Sequence, residues 1–136
     1  MSFYDGERPS DSPLIDVVWR SRSERADAFT SVAGSQGELV VMHYQGRMTL
    51  TVRGPETHAT PAFRPPDAQW IGITFKLGTY MPLFPPTMLM DRQDLDLPSA
   101  NSRSFWLDGS AWEFPTFENA DTFVERLARR GLLLHD

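Results

Sequence analysis

The three histidines, His43, His58 and His135, are the first residues of this 136-residue chain to consider for chemistry. They stand far apart, and no two have the spacing of a metal-binding motif. A catalytic zinc or iron centre usually takes three protein ligands, mostly histidine and carboxylate. Such a centre would consume nearly every histidine present, so neither a metal nor another cofactor is expected. The serines offer no G-x-S-x-G elbow, and Gly109-Ser110 falls in a hairpin-like turn, so no Ser/His/Asp set emerges from spacing. The loop Gly34-Ser35-Gln36-Gly37 lacks the Lys and Ser/Thr that complete a phosphate-binding loop. Zero cysteines remove disulfides and thiol catalysis and fit a cytoplasmic location. The chain therefore reads as a binding protein rather than an enzyme.

Aromatic residues and methionines are the richer set. Trp19, Phe29, Trp70, Phe75, Tyr80, Met81, Phe84, Met88, Met90, Trp106 and Trp112 are many for a chain of this size. They either fill a core or line an apolar cavity with a few polar groups, the usual form of a small-molecule site. Methionines at a rim favour adaptable binding.

These residues need elements to hold them. The stretch 70–98, WIGITFKLGTYMPLFPPTMLMDRQDLDLP, is central. Ile71, Ile73, Phe75 and Leu77 alternate with Gly72, Thr74 and Lys76, the pattern of a half-buried strand. Gly78 ends that strand, and Pro82, Pro85 and Pro86 forbid a sheet ladder beyond it. Pro86 suits the first position of a short helix carrying Thr87 to Met90. The alternation resumes at Asp94-Leu95-Asp96-Leu97.

The clearest local signal lies at 38–53. The runs ELVVMHY and RMTLTVR flank Gln45-Gly46, a two-residue turn that sets the register. Glu38 then pairs with Arg53, Leu39 with Val52, Val41 with Leu50, His43 with Met48 and Tyr44 with Arg47. His43 falls on the apolar face with Leu39, Val41, Leu50 and Val52. It is there either as a hydrogen-bonded core histidine or as the polar group of a ligand cavity. Residues 1–13 read as a polar arm, 14–19 as a first strand anchored by Trp19, and 20–25 as a charged turn. Residues 26–33, with Phe29 and Val32, read as a strand, the helical alternative remaining open. The proline-rich 54–69 reads mostly as loop, with room for one short edge strand. Phe105-Trp106-Leu107, Asp108-Gly109 and Ser110-Ala111-Trp112 give a second hairpin.

The tail predicts a helix over about 119–130, with Asn119 as N-cap and Gly131 as the stop. Ala120, Phe123, Val124, Leu127 and Ala128 form one apolar stripe. That stripe packs either on its own sheet or against a second subunit; Phe123, Val124 and Leu127 are the candidate homodimer interface. Leu132, Leu133 and Leu134 are too apolar for a free tail. The net charge of −5 argues against nucleic-acid binding by this chain itself. No apolar run reaches the roughly 20 residues of a membrane helix.

The strand and rim WIGITFKLGTYMPLFPP with LMDRQDLDLP, followed by FWLDGSAWEFPTFENADTFVERLARRGLL, resemble the N-terminal domain of AraC-type transcriptional regulators. The likeness is to the subgroup with an N-terminal domain of unknown function. Gly72, Phe75 and Gly78 match its "G-x-x-F-x-x-G" strand end, and Leu89, Asp91 and Leu95 or Leu97 match its "L-x-D…L" segment. The resemblance spans about residues 10–136. It implies a cupin-like jelly-roll barrel or sandwich with one or two C-terminal helices, a small-molecule effector inside it, and dimerisation through helices. DNA would be contacted only by a C-terminal pair of helix-turn-helix motifs, which this sequence does not contain. The chain is then either a piece of a longer regulator or a stand-alone sensor. The cupin metal motif of two close histidines and a carboxylate is missing. A stand-alone cupin-like enzyme or binding protein is the alternative. The expected ligand site combines His43, Val41, Leu50 and Phe75 inside the barrel. Tyr80, Trp19 and Trp106 close its mouth, with the 82–86 rim and the N-terminal arm as a lid.

Overall fold

The computed structural model describes residues 2–24, 27–31, 34–57, 60–90 and 95–136. His58, Val32, Asp91 and Asp94 lie outside the described residues. In chain order the elements are β1 (Ser2–Arg8), β2 (Ile15–Ser23), β3 (Asp27–Ser31), β4 (Glu38–Tyr44), β5 (Arg47–Arg53), β6 (Thr60–Arg64) and β7 (Gln69–Phe75). Then follow β8 (Thr79–Tyr80), α1 (Pro86–Leu89), β9 (Leu95–Leu97), β10 (Ser104–Leu107), β11 (Ser110–Glu113), α2 (Ala120–Arg129) and β12 (Leu134–His135). The protein is mainly β. Its largest sheet is antiparallel, ordered β1-β2-β7-β4-β5-β9, with smaller ladders β3-β6, β10-β11 and β8-β12. Among the described residues β1 and β9 are free edges, so this sheet is open.

The β4-β5 hairpin has the expected register pair for pair, from Glu38 opposite Arg53 to Tyr44 opposite Arg47. Its turn has φ +51° at Gln45 and +74° at Gly46, and the β10-β11 turn has +52° at Asp108 and +74° at Gly109. Positive φ at both central residues is the turn whose twist suits a two-residue hairpin. β7 then inserts between β2 and β4, pairing Ile73 with both Val18 and Leu39. Outside β4-β5, the pairs nest: β3 with β6, and β2 with β7.

One sheet face carries the core. Ile15, Val18, Leu39, Val41, Leu50, Val52, Ile73 and Phe75 pack in one cluster with Phe105, Leu107, Trp112, Phe123, Val124 and Leu127 from the second hairpin and α2. The Phe105 and Phe123 rings lie 6.2 Å apart, and Trp112 meets Phe123 edge-on at 6.1 Å. The α2 stripe is therefore internal: Val124 and Leu127 are 0% exposed and Phe123 5%. This corrects the reading of Phe123, Val124 and Leu127 as a dimer interface, since their own chain already covers them. A homodimer would need another surface. Beyond α2, Leu132 N–H donates to Leu127 O at 2.9 Å and Gly131 N–H to Ala128 O at 3.0 Å, the paired bonds of a Schellman stop. That turn sends Leu132 and Leu133 into the core and leaves Leu134 exposed. Asn119 stands at the N-cap position without capping by its side chain; its Oδ1 accepts from Thr116 N–H at 2.7 Å instead.

Two stretches differ from expectation. The supposed arm holds β1, an edge strand on β2. It is fastened to the helix end of the molecule. Arg8 donates to Phe117 O at 3.1 and 2.7 Å and pairs with Asp121 at 2.9 Å, while Ser10 hydrogen-bonds Asp121. The supposed charged turn at 20–25 is mostly strand, because β2 continues to Ser23 between β1 and β7. Arg20 then serves packing, its guanidinium 4.4 Å from the centre of the Phe117 ring.

Candidate functional site

A cavity of about 130 Å³ lies where β5 and β7 end. Gly78 follows the end of β7, and Thr79 and Tyr80 form β8, which pairs with His135 and Leu134 of β12. Asp136 N–H donates to Gly78 O at 2.9 Å, and His135 Nε2 lies 3.0 Å from Leu77 O. These bonds hold the C-terminal strand as one wall. The opposite wall is the proline turn. Phe84 N–H closes on Met81 O at 2.9 Å, and Pro86 starts α1 as expected. Leu89 of α1 lies so close to Gly54 that a Cβ there would be 2.2 Å from the Leu89 Cβ. Only glycine permits that approach, which sets how near α1 sits to the end of β5.

The lining is mostly apolar: Val52, Phe75, Tyr80, Met81, Phe84 and Leu89. Polar groups come from Ser35, Arg53, Thr79 and Asp136. Arg53 is tied to Glu38 at 3.5 Å and Glu56 at 3.7 Å. Glu38 in turn accepts from Trp19 Nε1 at 3.1 Å, so this network runs across the inner strands from β5 to β2. Thr79 is different. It is 6% exposed, and its Oγ1 has no hydrogen-bond partner among the described residues. An unsatisfied buried hydroxyl costs about 1–3 kcal/mol.

The expected site residues do not assemble as a group. Phe75 and Tyr80 line the cavity. Val41 and Leu50 are 3% and 1% exposed inside the filled core. They share the expected face of the hairpin, but side chains occupy the space expected for a ligand. His43 shares that face by register yet is exposed, because the core ends before the tip of the hairpin. It is neither a core histidine nor a cavity group. Trp19 lies on the opposite face, over Gly72, where a Cβ would come within 1.8 Å of its ring. Trp106 is 47% exposed on β10 and closes nothing. The 82–86 turn does border the cavity, through Phe84 and Pro86.

Sequence reasoning missed Thr79, Arg53 and Asp136. In the sequence Arg53 stands out only as a cross-strand partner of Glu38. Thr79 sits in a two-residue strand with no periodicity, and its surroundings come from β12, distant in the chain. Among the described residues there is no cluster of three or more metal-ligating side chains, and no helix long and apolar enough to cross a membrane. No protein-family model, curated protein or solved structure matches this chain.

Proposed function

We propose that this chain is a small-molecule sensor domain of the AraC regulator type, and that the cavity beside Thr79 takes the effector. The observation that carries the reading is a mostly apolar cavity lined in part by Thr79, whose buried hydroxyl has no hydrogen-bond partner among the described residues. Concave, largely apolar walls with few polar groups are the common form of such sites. The negative net charge fits a sensing unit better than a DNA-contacting one. We also read the fold as a cut-down cupin-like jelly roll. Its support is the nesting of β4-β5 within β3-β6 within β2-β7, together with β7 lying beside β4. A jelly roll winds one long hairpin in this nested way. The effector site in this reading is at the end of the sheet rather than between sheets.

The experiment is a thermal-shift screen of small neutral and charged compounds. A ligand at a hundredfold its Kd adds about 2.7 kcal/mol to stability, enough to raise Tm by several degrees. Hits should stabilise the wild type and fail on Phe84→Trp, which fills the cavity. Hits that stabilise both proteins equally would place binding elsewhere and reject the reading.

A further inference from the structure

Resting on that reading of the cavity, we infer that its ligand is neutral: a single-ring-sized, mainly apolar molecule bearing one hydroxyl or amide group. Size is the first constraint. A volume of about 130 Å³ is near the roughly 150 Å³ of an apolar cavity known to take benzene. The rim residues Gly78, Pro86 and Asp136 are exposed, so a small substituent has room to project.

Charge is the second constraint. Arg53 is the cation of the lining, and Glu38 and Glu56 already hold it. An incoming carboxylate would have to compete with two carboxylates for one guanidinium. An incoming ammonium would lose hydration beside that same guanidinium, and the Asp136 carboxylate opposite is exposed and screened by solvent. Neither sign of charge finds a free, desolvated partner. The third constraint is Thr79 Oγ1. Thr79 lines the cavity, and its hydroxyl, covered from water, can both donate and accept once a ligand displaces that cover, so it matches a hydroxyl or an amide. Phe75 and Phe84 then provide aromatic surface for a ring.

The test uses three probes of one shape: benzyl alcohol, benzylamine and benzoate, titrated into the isotope-labelled full chain and followed by amide chemical shifts. Benzyl alcohol should move the amides of residues 78–81 and bind at least about tenfold tighter than either ion. Thr79→Val should weaken benzyl alcohol about tenfold, the loss of one hydrogen bond. The same variant should leave toluene binding unchanged, and Thr79→Ser should keep most of the benzyl alcohol affinity. Benzoate or benzylamine binding equally well or better would overturn the neutral class while leaving the cavity as a binding site. Shifts from no probe near residues 78–81 would bring down the cavity reading and this inference together. An unchanged benzyl alcohol affinity in Thr79→Val would remove Thr79 as the recognition group.

Discussion

At the scale of single residues, Thr79 links stability to binding. Its hydroxyl is buried without a partner among the described residues, so the folded protein is less stable than it could be. Thr79→Val keeps the shape and removes the unmet group. Chemical denaturation should show the variant more stable by about 1 kcal/mol, even as ligand binding weakens. A loss of stability would mean that the hydroxyl is satisfied in solution. Gly72 supports a second prediction. The Trp19 ring occupies the space of any Cβ there, and Gly72 backbone lies in a sheet that cannot easily shift. Gly72→Ala should cost roughly 1–3 kcal/mol, read from urea unfolding. Much of that loss should return in the Trp19→Ala background, because the two residues share one space. These residues also mark what local pattern leaves out. Alternation correctly assigned His43 to a face, but a face says nothing about how far along it the core extends. Thr79 carried no pattern at all, since its neighbours come from the far end of the chain.

Elements held together by neighbours in sequence were the most legible. Both hairpins, the proline-started α1 and α2 follow from turn residues and spacing, and all four are present. What a stripe packs against is a separate question that its periodicity leaves open. The structure answers it for α2, and Leu127→Glu tests the answer. Burying an unpaired carboxylate at a fully covered site should cost on the order of 4 kcal/mol or more and unfold the domain. A folded monomer by sedimentation would instead restore the interface reading of Phe123, Val124 and Leu127. The first strand was illegible for another reason. Its composition is mostly polar, and its partners lie far along the chain: β2 through the ladder, and Phe117 O and Asp121 through Arg8. Arg8→Ala should lower stability by about 1 kcal/mol, given the part-exposed pair. Faster amide exchange should be confined to β1 and the start of α2. Uniform change across the sheet would contradict a local clasp.

At the scale of the whole molecule, composition and alternation pointed to a mainly β fold. They did not indicate an open sheet with a filled middle and a cavity at its end. That outcome depends on β7 entering between β2 and β4, and on β12 returning to β8, both long-range pairings. The resemblance to AraC-type sensor domains located a ligand inside a barrel; the described residues offer space at the strand ends instead. The claim that joins fold to function is that this space holds a small neutral ligand against Thr79. Diffraction from a crystal of the full chain soaked in 4-bromobenzyl alcohol tests it most directly. The account predicts an anomalous bromine peak between Phe75 and Phe84, with the ligand hydroxyl on Thr79 Oγ1. A cavity closed by its own side chains, or a bromine peak only at the exposed Trp106 or His43, would contradict it.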